Sequence, residues 1–229
     1  AADMATRLEK WLPPELLALL RDVSAAAHEL GYSVYIVGGF VRDLLLNQPN
    51  LDLDLVVEGN AIALAKHLAK KRGGRVHGHT RFGTAKWMIN VETPRRGVST
   101  DAMQIDHLDF TTARTEFYAH PSALPEVETS SIKQDLRRRD FTINTLAICL
   151  DPQRFGQLLD PFGGEQDLRQ RGLVRVLHSL SFIEDPTRIL RAARFEQRFS
   201  FKIEPRTAQL IGDALEMLHR VSGERLRHE

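Results

Sequence analysis

Residues 38–57 read GGFVRDLLLNQPNLDLDLVV. The two glycines follow the apolar run VYIV at 34–37 and precede FVRDLLL, which has helical character. NQPN is a turn, and LDLDLVV alternates as a strand does. On a strand, Asp52 and Asp54 point to one face, while Leu51, Leu53 and Leu55 point to the other. A glycine pair at a strand-to-helix turn lets backbone approach a ligand and leaves N–H groups where anions bind. Arg42 falls one turn into that helix, within reach of a phosphate, with Asp43 beside it.

Two carboxylates on one strand face repel unless a positive charge lies between them. A hard divalent cation meets that need, and Mg²⁺ favours carboxylate oxygens together with substrate phosphates. Alone, the alternation also describes an exposed strand face, and the glycines alone also describe a tight turn. Asp109, in HLDFTT, is the candidate third acid, with Asp106 and Asp101 as competitors. His77 and His79 alternate in RVHGHT without a Cys or Glu at zinc spacing and read as a strand face.

Working outward, residues 13–30 form a helix opened by Pro and stopped by Gly31. A second helix runs from a cap at Asn60 to a stop at Gly73. RVHGHT, TAKWMINVE and MQIDHLDFTTA are three further strands. Residues 112–130 carry prolines and acids without period and read as a long loop. From Ser131 the chain turns mainly helical, with a sharp turn at DPFGG, 160–164.

This order predicts an α+β protein. Residues 1–150, counting the N-terminal helix, are the expected mixed head, and 151–229 a helical neck. The single cysteine, Cys149, lies in the apolar run LAICL and excludes an internal disulfide. With 229 residues, 42% hydrophobic and 27% charged, the composition is that of a globular chain. No apolar run approaches membrane-spanning length, and AADMATRLEKW carries no secretory h-region, so a cytoplasmic location is expected. The chain lacks an initial Met and stops at SGERLRHE, which suggests a piece of a longer protein. Net charge is +1, but arginines cluster at 137–139, 169–175 and 188–198, as a polyanion partner requires.

Four stretches, in order, carry a family resemblance. GGFVRDLLL followed by DLD, KQDLRRRDFTINTLA (133–147), LLDPFGGEQDL (158–168) and EDPTRILRAARF (184–195) resemble the bacterial-type tRNA nucleotidyltransferase and poly(A) polymerase family, which includes CCA-adding enzymes. The resemblance implies a polymerase-β-like head with a five-stranded mixed sheet and an all-helical neck that binds base and RNA and is truncated at its C-terminus. It implies transfer of CMP and/or AMP from CTP or ATP to the 3′ hydroxyl of tRNA or another RNA, with release of pyrophosphate and with two Mg²⁺ ions. Asp52 and Asp54 would be the metal carboxylates. Gly38 and Gly39 would line the triphosphate, with Arg42 beside it. Arg139 would hold phosphate or ribose.

Asp140 and Asn144, four apart on one helix face, would read the ribose hydroxyls. Asp185 and Arg188 would match a base edge, and Arg191 and Arg194 would lean toward triphosphate or primer. Asp185 followed by Pro186 is also a helix N-cap, and a capping carboxylate needs a rearrangement before it can pair with a base. A poly(A) polymerase, a small-molecule adenylyltransferase on the same head and a non-catalytic RNA-binding module are the rivals.

Overall fold

In the computed structural model, residues 4–89, 106–117 and 126–228 are described. Asp101, one competitor for the third carboxylate, lies outside them. The elements begin with helices α1 (Met4–Trp11) and α2 (Pro14–Glu29). Then come β1 (Ser33–Val37), α3 (Gly39–Leu45), β2 (Asp54–Glu58), α4 (Ala61–Arg72), β3 (Arg75–His79), β4 (Thr84–Met88) and β5 (His107–Thr112). β6 (Arg114–Phe117), β7 (Glu126–Thr129), α5 (Ile132–Arg137), β8 (Ala147–Cys149) and β9 (Leu158–Leu159) follow. The last part holds α6 (Gly164–Gln166), β10 (Leu173–Val174), α7 (Ser181–Glu184), α8 (Thr187–Phe199), β11 (Lys202–Ile203), α9 (Pro205–Ala214) and α10 (Gly223–His228).

Among the described residues the largest sheet has seven strands, ordered β3-β4-β5-β2-β1-β8-β9. The expected five are therefore extended by β8 and β9. The pairings β1–β2, β3–β4 and β4–β5 are antiparallel and β2–β5 is parallel, so the sheet is mixed, as expected. The residues after 150 are not all helical: β10 and β11 form a short parallel pair. Nor is 112–130 a loop throughout, because β6 and β7 pair antiparallel from Arg114↔Thr129 to Phe117↔Glu126.

The chain divides into two compact units of interleaved segments, where element order alone suggests one cut near residue 150. The first comprises Ala1–Phe40, Leu51–Ala113 and Ile148–Leu158. Its core is built from Ile36, Leu55, Trp87 and Phe110 of the sheet with Leu20 of α2 and Leu64 of α4. Asn60 caps α4 by accepting from the Ala63 N–H at 2.9 Å, and Gly73 ends the helix with φ +80°, both as the sequence predicts.

The second unit comprises Val41–Asn50, Arg114–Ala147 and Leu159–Glu229. Phe141 is buried at its centre, with Phe182 at 6.4 Å and Phe195 edge-on at 5.8 Å. Asp160 closes the DPFGG turn: its oxygens accept from the N–H groups of Gly164 (2.7 Å) and Glu165 (3.0 Å). No helix among the described residues is long and apolar enough to cross a membrane.

Candidate active site

In the first unit the chemistry gathers at one end of the sheet. β1 ends at Val37, and Gly38 turns the chain at φ +71°, a conformation that favours glycine, so that α3 begins at Gly39. β2 begins at Asp54, which pairs in register with Val37. On its other side Asp54 pairs with Asp109 of β5, and Asp109 pairs with Lys86 of β4. The glycine turn and the two carboxylates therefore share one end of the sheet, and register partners project to the same face.

The strand is shorter than LDLDL suggests, because Asp52 and Leu53 precede β2. The burial alternation nonetheless extends through them: Asp52 and Asp54 are exposed, Leu53 and Leu55 buried. The reason is elementary, since burying Leu on alternate positions leaves the intervening carboxylates in water.

Asp109 is half-buried and has its own partners, the Lys86 ammonium Nζ at 3.5 Å and the His107 ring Nε2 at 3.3 Å. Asp106 is exposed and paired with His107, whose side-chain contact holds its carboxyl below the usual range. Hard oxygen donors of this kind suit a divalent cation rather than a soft one. Asp52, Asp54 and Asp109 are not drawn into one closed cluster: among the described residues no group of three His, Cys, Asp or Glu side chains stands ready to hold an ion. His77 and His79 lie exposed on edge strand β3.

The second unit holds the arginine-rich residues. Asp140 and Asn144 were expected on one helix face. Instead, Asp140 lies between α5 and a 3₁₀ turn, Thr142–Asn144, and the two side chains meet directly. Asn144 Nδ2 donates to Asp140 Oδ1 at 2.9 Å, and Asn144 Oδ1 accepts from Arg42 Nη1 at 2.7 Å. The other Asp140 oxygen accepts from Arg191, Nε at 2.8 Å and Nη2 at 2.6 Å. Burial pushes the Asp140 carboxyl up, but the Arg191 charge, the Asn144 amide and the Phe141 N–H outweigh it and leave the group below its ordinary value.

Arg42 does not reach outward. It is buried, bonds Asp43 Oδ1 through Nε at 2.7 Å, and lies 5.1 Å from the ring centre of Phe195 and 4.9 Å from that of Phe199. These two rings sit one turn apart on α8 and stack at 5.9 Å, 17° from parallel.

Along α8 the arginines pass from interior to solvent. Arg188 is buried, Arg191 half-buried, Arg194 exposed. Arg188 donates through Nη1 to Ser181 Oγ at 2.6 Å and through Nη2 to the Arg138 carbonyl at 2.9 Å. Arg198 reaches Asp43 at 3.4 Å. Asp185 closes on the start of α8: its Oδ1 accepts from the N–H (3.2 Å) and hydroxyl (2.8 Å) of Thr187 and from Arg225 Nη2 (3.0 Å). Arg139 gives Nη2 to Asp135 at 3.2 Å, while its Nε is buried with no hydrogen-bond partner among the described residues.

Sequence reasoning noted Asp43 beside Arg42 but assigned neither it nor Asp135 and Asp167 the role of holding these arginines. Asp43, Asp135 and Asp167 are all fully buried. Asp167 takes Thr142 Oγ1 (2.7 Å), Arg175 Nε (2.7 Å) and Arg171 Nη1 (3.2 Å). The signal was present in Asp135 three and four residues before Arg138 and Arg139, the spacing of helical ion pairs.

Known proteins agree with this architecture. The poly(A) polymerase head domain family matches residues 34–174. The A-adding tRNA nucleotidyltransferase of Geobacter sulfurreducens is 46% identical over 224 residues, covering 97% of this chain and 24% of that protein. The A-adding enzyme of Halalkalibacterium halodurans is 45% identical over 217 residues, covering 93% and 48%. An apo structure of a CCA-adding enzyme superposes with TM-score 0.87 at 46% identity, covering 99% of this chain and 50% of that one. The Thermotoga maritima CCA-adding enzyme complexed with tRNA gives 0.83 at 43% identity, covering 99% and 48%. The chain spans about half or less of the length of these proteins. It belongs to the poly(A) polymerase head domain family.

Proposed function

We propose that the chain is the nucleotidyl-transferring part of a cytoplasmic enzyme that extends the 3′ end of tRNA, joining AMP from ATP, or CMP from CTP, and releasing pyrophosphate. The 3′ oxygen attacks the α-phosphorus, the bond to the β-phosphate breaks, and the hydroxyl proton leaves to a base or water. The observation that carries this reading is the shared end of the sheet at which exposed Asp54 stands opposite Asp109 and beside the Gly38 turn. Divalent metal, two magnesium ions in this proposal, would be held by Asp52 and Asp54 and would lower the cost of deprotonating the attacking hydroxyl.

The remaining roles belong to the chain itself. Gly38 and Gly39 bring backbone to the triphosphate, and Asp109 keeps Lys86 and His107 beside the acid edge. Arg139, with its unsatisfied Nε, takes phosphate or ribose. Asp140 and Asn144 take the ribose hydroxyls, and Arg191 and Arg194 face triphosphate or primer. Arg42, expected at the phosphates, is here a positioning residue that holds Asn144. For Asp185 and Arg188 to read a base, Asp185 must leave Thr187 and Arg225, and Arg188 must leave Ser181.

Identity of 45–48% to three A-adding relatives, against 37% to a CC-adding one, favours AMP as the added nucleotide. The test is to incubate the full-length protein with tRNA lacking its terminal CCA, and with tRNA lacking only the last A. Each triphosphate is offered separately and the ends are sequenced. Growth only on the second substrate with ATP supports AMP addition, and no growth on either with any triphosphate overturns the reading.

A further inference from the structure

Arg137 ends α5 and two further arginines, Arg138 and Arg139, follow it directly, yet the three do not behave alike. Arg138 turns to fully buried Asp135 with Nε at 3.2 Å and Nη2 at 2.9 Å from one oxygen, and Arg139 Nη2 takes the other at 3.2 Å. Arg137 is exposed, and no side chain among the described residues pairs with it. It lines a cavity of about 420 Å³ together with Gln134, Arg138, His178, Leu180 and Glu184. That volume falls within the range of about 300–1,000 Å³ typical of small-ligand sites.

The lining is mixed in a specific way. Leu180 is 55% exposed, an apolar side chain at the mouth. Burial pushes the His178 imidazole down in pKa. Glu184, 3.6 Å away, opposes this, and Arg188 and Arg137 add to it. His178 is therefore an uncharged ring at neutral pH, suited to stacking as well as hydrogen bonding. Arg188 Nη2 bonds the carbonyl of Arg138, so one wall of the cavity is tied to the base-reading pair proposed above. The negative C-terminal end of the helix dipole explains an arginine in the last turn of α5, but not a cavity with an aromatic and an apolar face beside it.

We propose that this cavity is a subsite for one nucleotide unit of the single-stranded RNA end, with the phosphodiester on Arg137 and the base against His178 and Leu180. The proposal rests on the reading of the chain as an RNA nucleotidyltransferase and adds where the strand is gripped. Charge separates RNA from free nucleotide here. Arg137 offers one guanidinium with no side-chain partner among the described residues, which suits the single charge of a phosphodiester, while the Glu184 carboxylate in the same lining disfavours the several charges of a triphosphate.

The test uses the full-length protein and fluorescent tRNA lacking its terminal A, titrated at several salt concentrations, with ATP binding followed in parallel by calorimetry. Arg137→Ala is expected to weaken tRNA binding by up to about tenfold and to lower the salt slope by about one, with ATP binding unchanged. Arg137→Lys is expected to restore the slope, and His178→Ala to weaken binding without altering it. Unchanged tRNA affinity and slope in Arg137→Ala overturns the subsite, as does a loss of ATP affinity with tRNA binding intact. If the unmodified protein binds ATP but no tRNA, the underlying reading fails together with the subsite; if it binds both and Arg137→Ala matches it, only the subsite fails.

Discussion

Asp140 holds Arg191 through a single carboxylate oxygen, which accepts from both Nε (2.8 Å) and Nη2 (2.6 Å). The pair joins the segment after α5 to the middle of α8, and Asn144 extends it to Arg42. Asp140→Asn leaves the guanidinium without its counter-charge. We expect a loss of about 1–3 kcal/mol of unfolding free energy at pH 7, measured by urea titration. Loss of nucleotide affinity should accompany it.

The same pair sets a pH dependence. The Asp140 carboxyl lies below its ordinary value when folded, so the unfolded chain binds the proton more readily. Its contribution to stability is present above the unfolded pKa of about 3.9 and is lost as pH falls through the lower, folded value. The stability gap between the parent and Asp140→Asn should therefore shrink below about pH 4. A gap that stays constant from pH 7 to pH 3 would contradict this assignment.

Asp54→Ala removes an exposed carboxylate from the start of β2 without opening the core. Transfer should fall by about 10³-fold or more, the scale of removing a principal electrostatic contribution. The thermal midpoint should hold or rise, because Asp109 loses a like-charged neighbour in register. Parent-level extension of RNA by the folded variant would remove Asp54 from the site.

Arg42→Lys keeps the charge but loses the planar fork that reaches Asp43 and Asn144 between two rings. A stability loss of about 1–3 kcal/mol is expected, together with a lower kcat at little changed KM for RNA. Equal stability of Arg42→Lys and the parent would show that the stacked geometry contributes nothing.

Glycines supply a paired control. A Cβ on Gly164 would lie 2.2 Å from the Thr142 carbonyl oxygen, so Gly164→Ala forces backbone apart and should cost about 1–3 kcal/mol. Gly212 sits in α9 with nothing within 4 Å of such a Cβ, and Gly212→Ala should stabilise by about 0.4–1 kcal/mol. Thermal midpoints moving in opposite directions would bear out both.

What the chain by itself determined is whatever neighbours in sequence decide. The alternation of Leu53 and Leu55 with Asp52 and Asp54 dictates which side faces water. Gly38 can take a positive φ that other residues resist, and Asn60 and Gly73 bound α4 through contacts no more than four residues away. Such signals need no knowledge of the fold.

Tertiary structure decided everything that depends on which distant segments meet. Only register across β2 and β5 sets Asp109, rather than Asp106, opposite Asp54. Only the approach of Phe195 and Phe199, some 150 positions away in the numbering of the chain, turns Arg42 inward. The spacing of Asp140 and Asn144 suggested a helix face, yet a 3₁₀ turn lets their side chains bond directly. Arginines that look equivalent along α8 end up buried, half-buried and exposed, because a guanidinium enters the interior only where oxygens from other segments are already there to receive it.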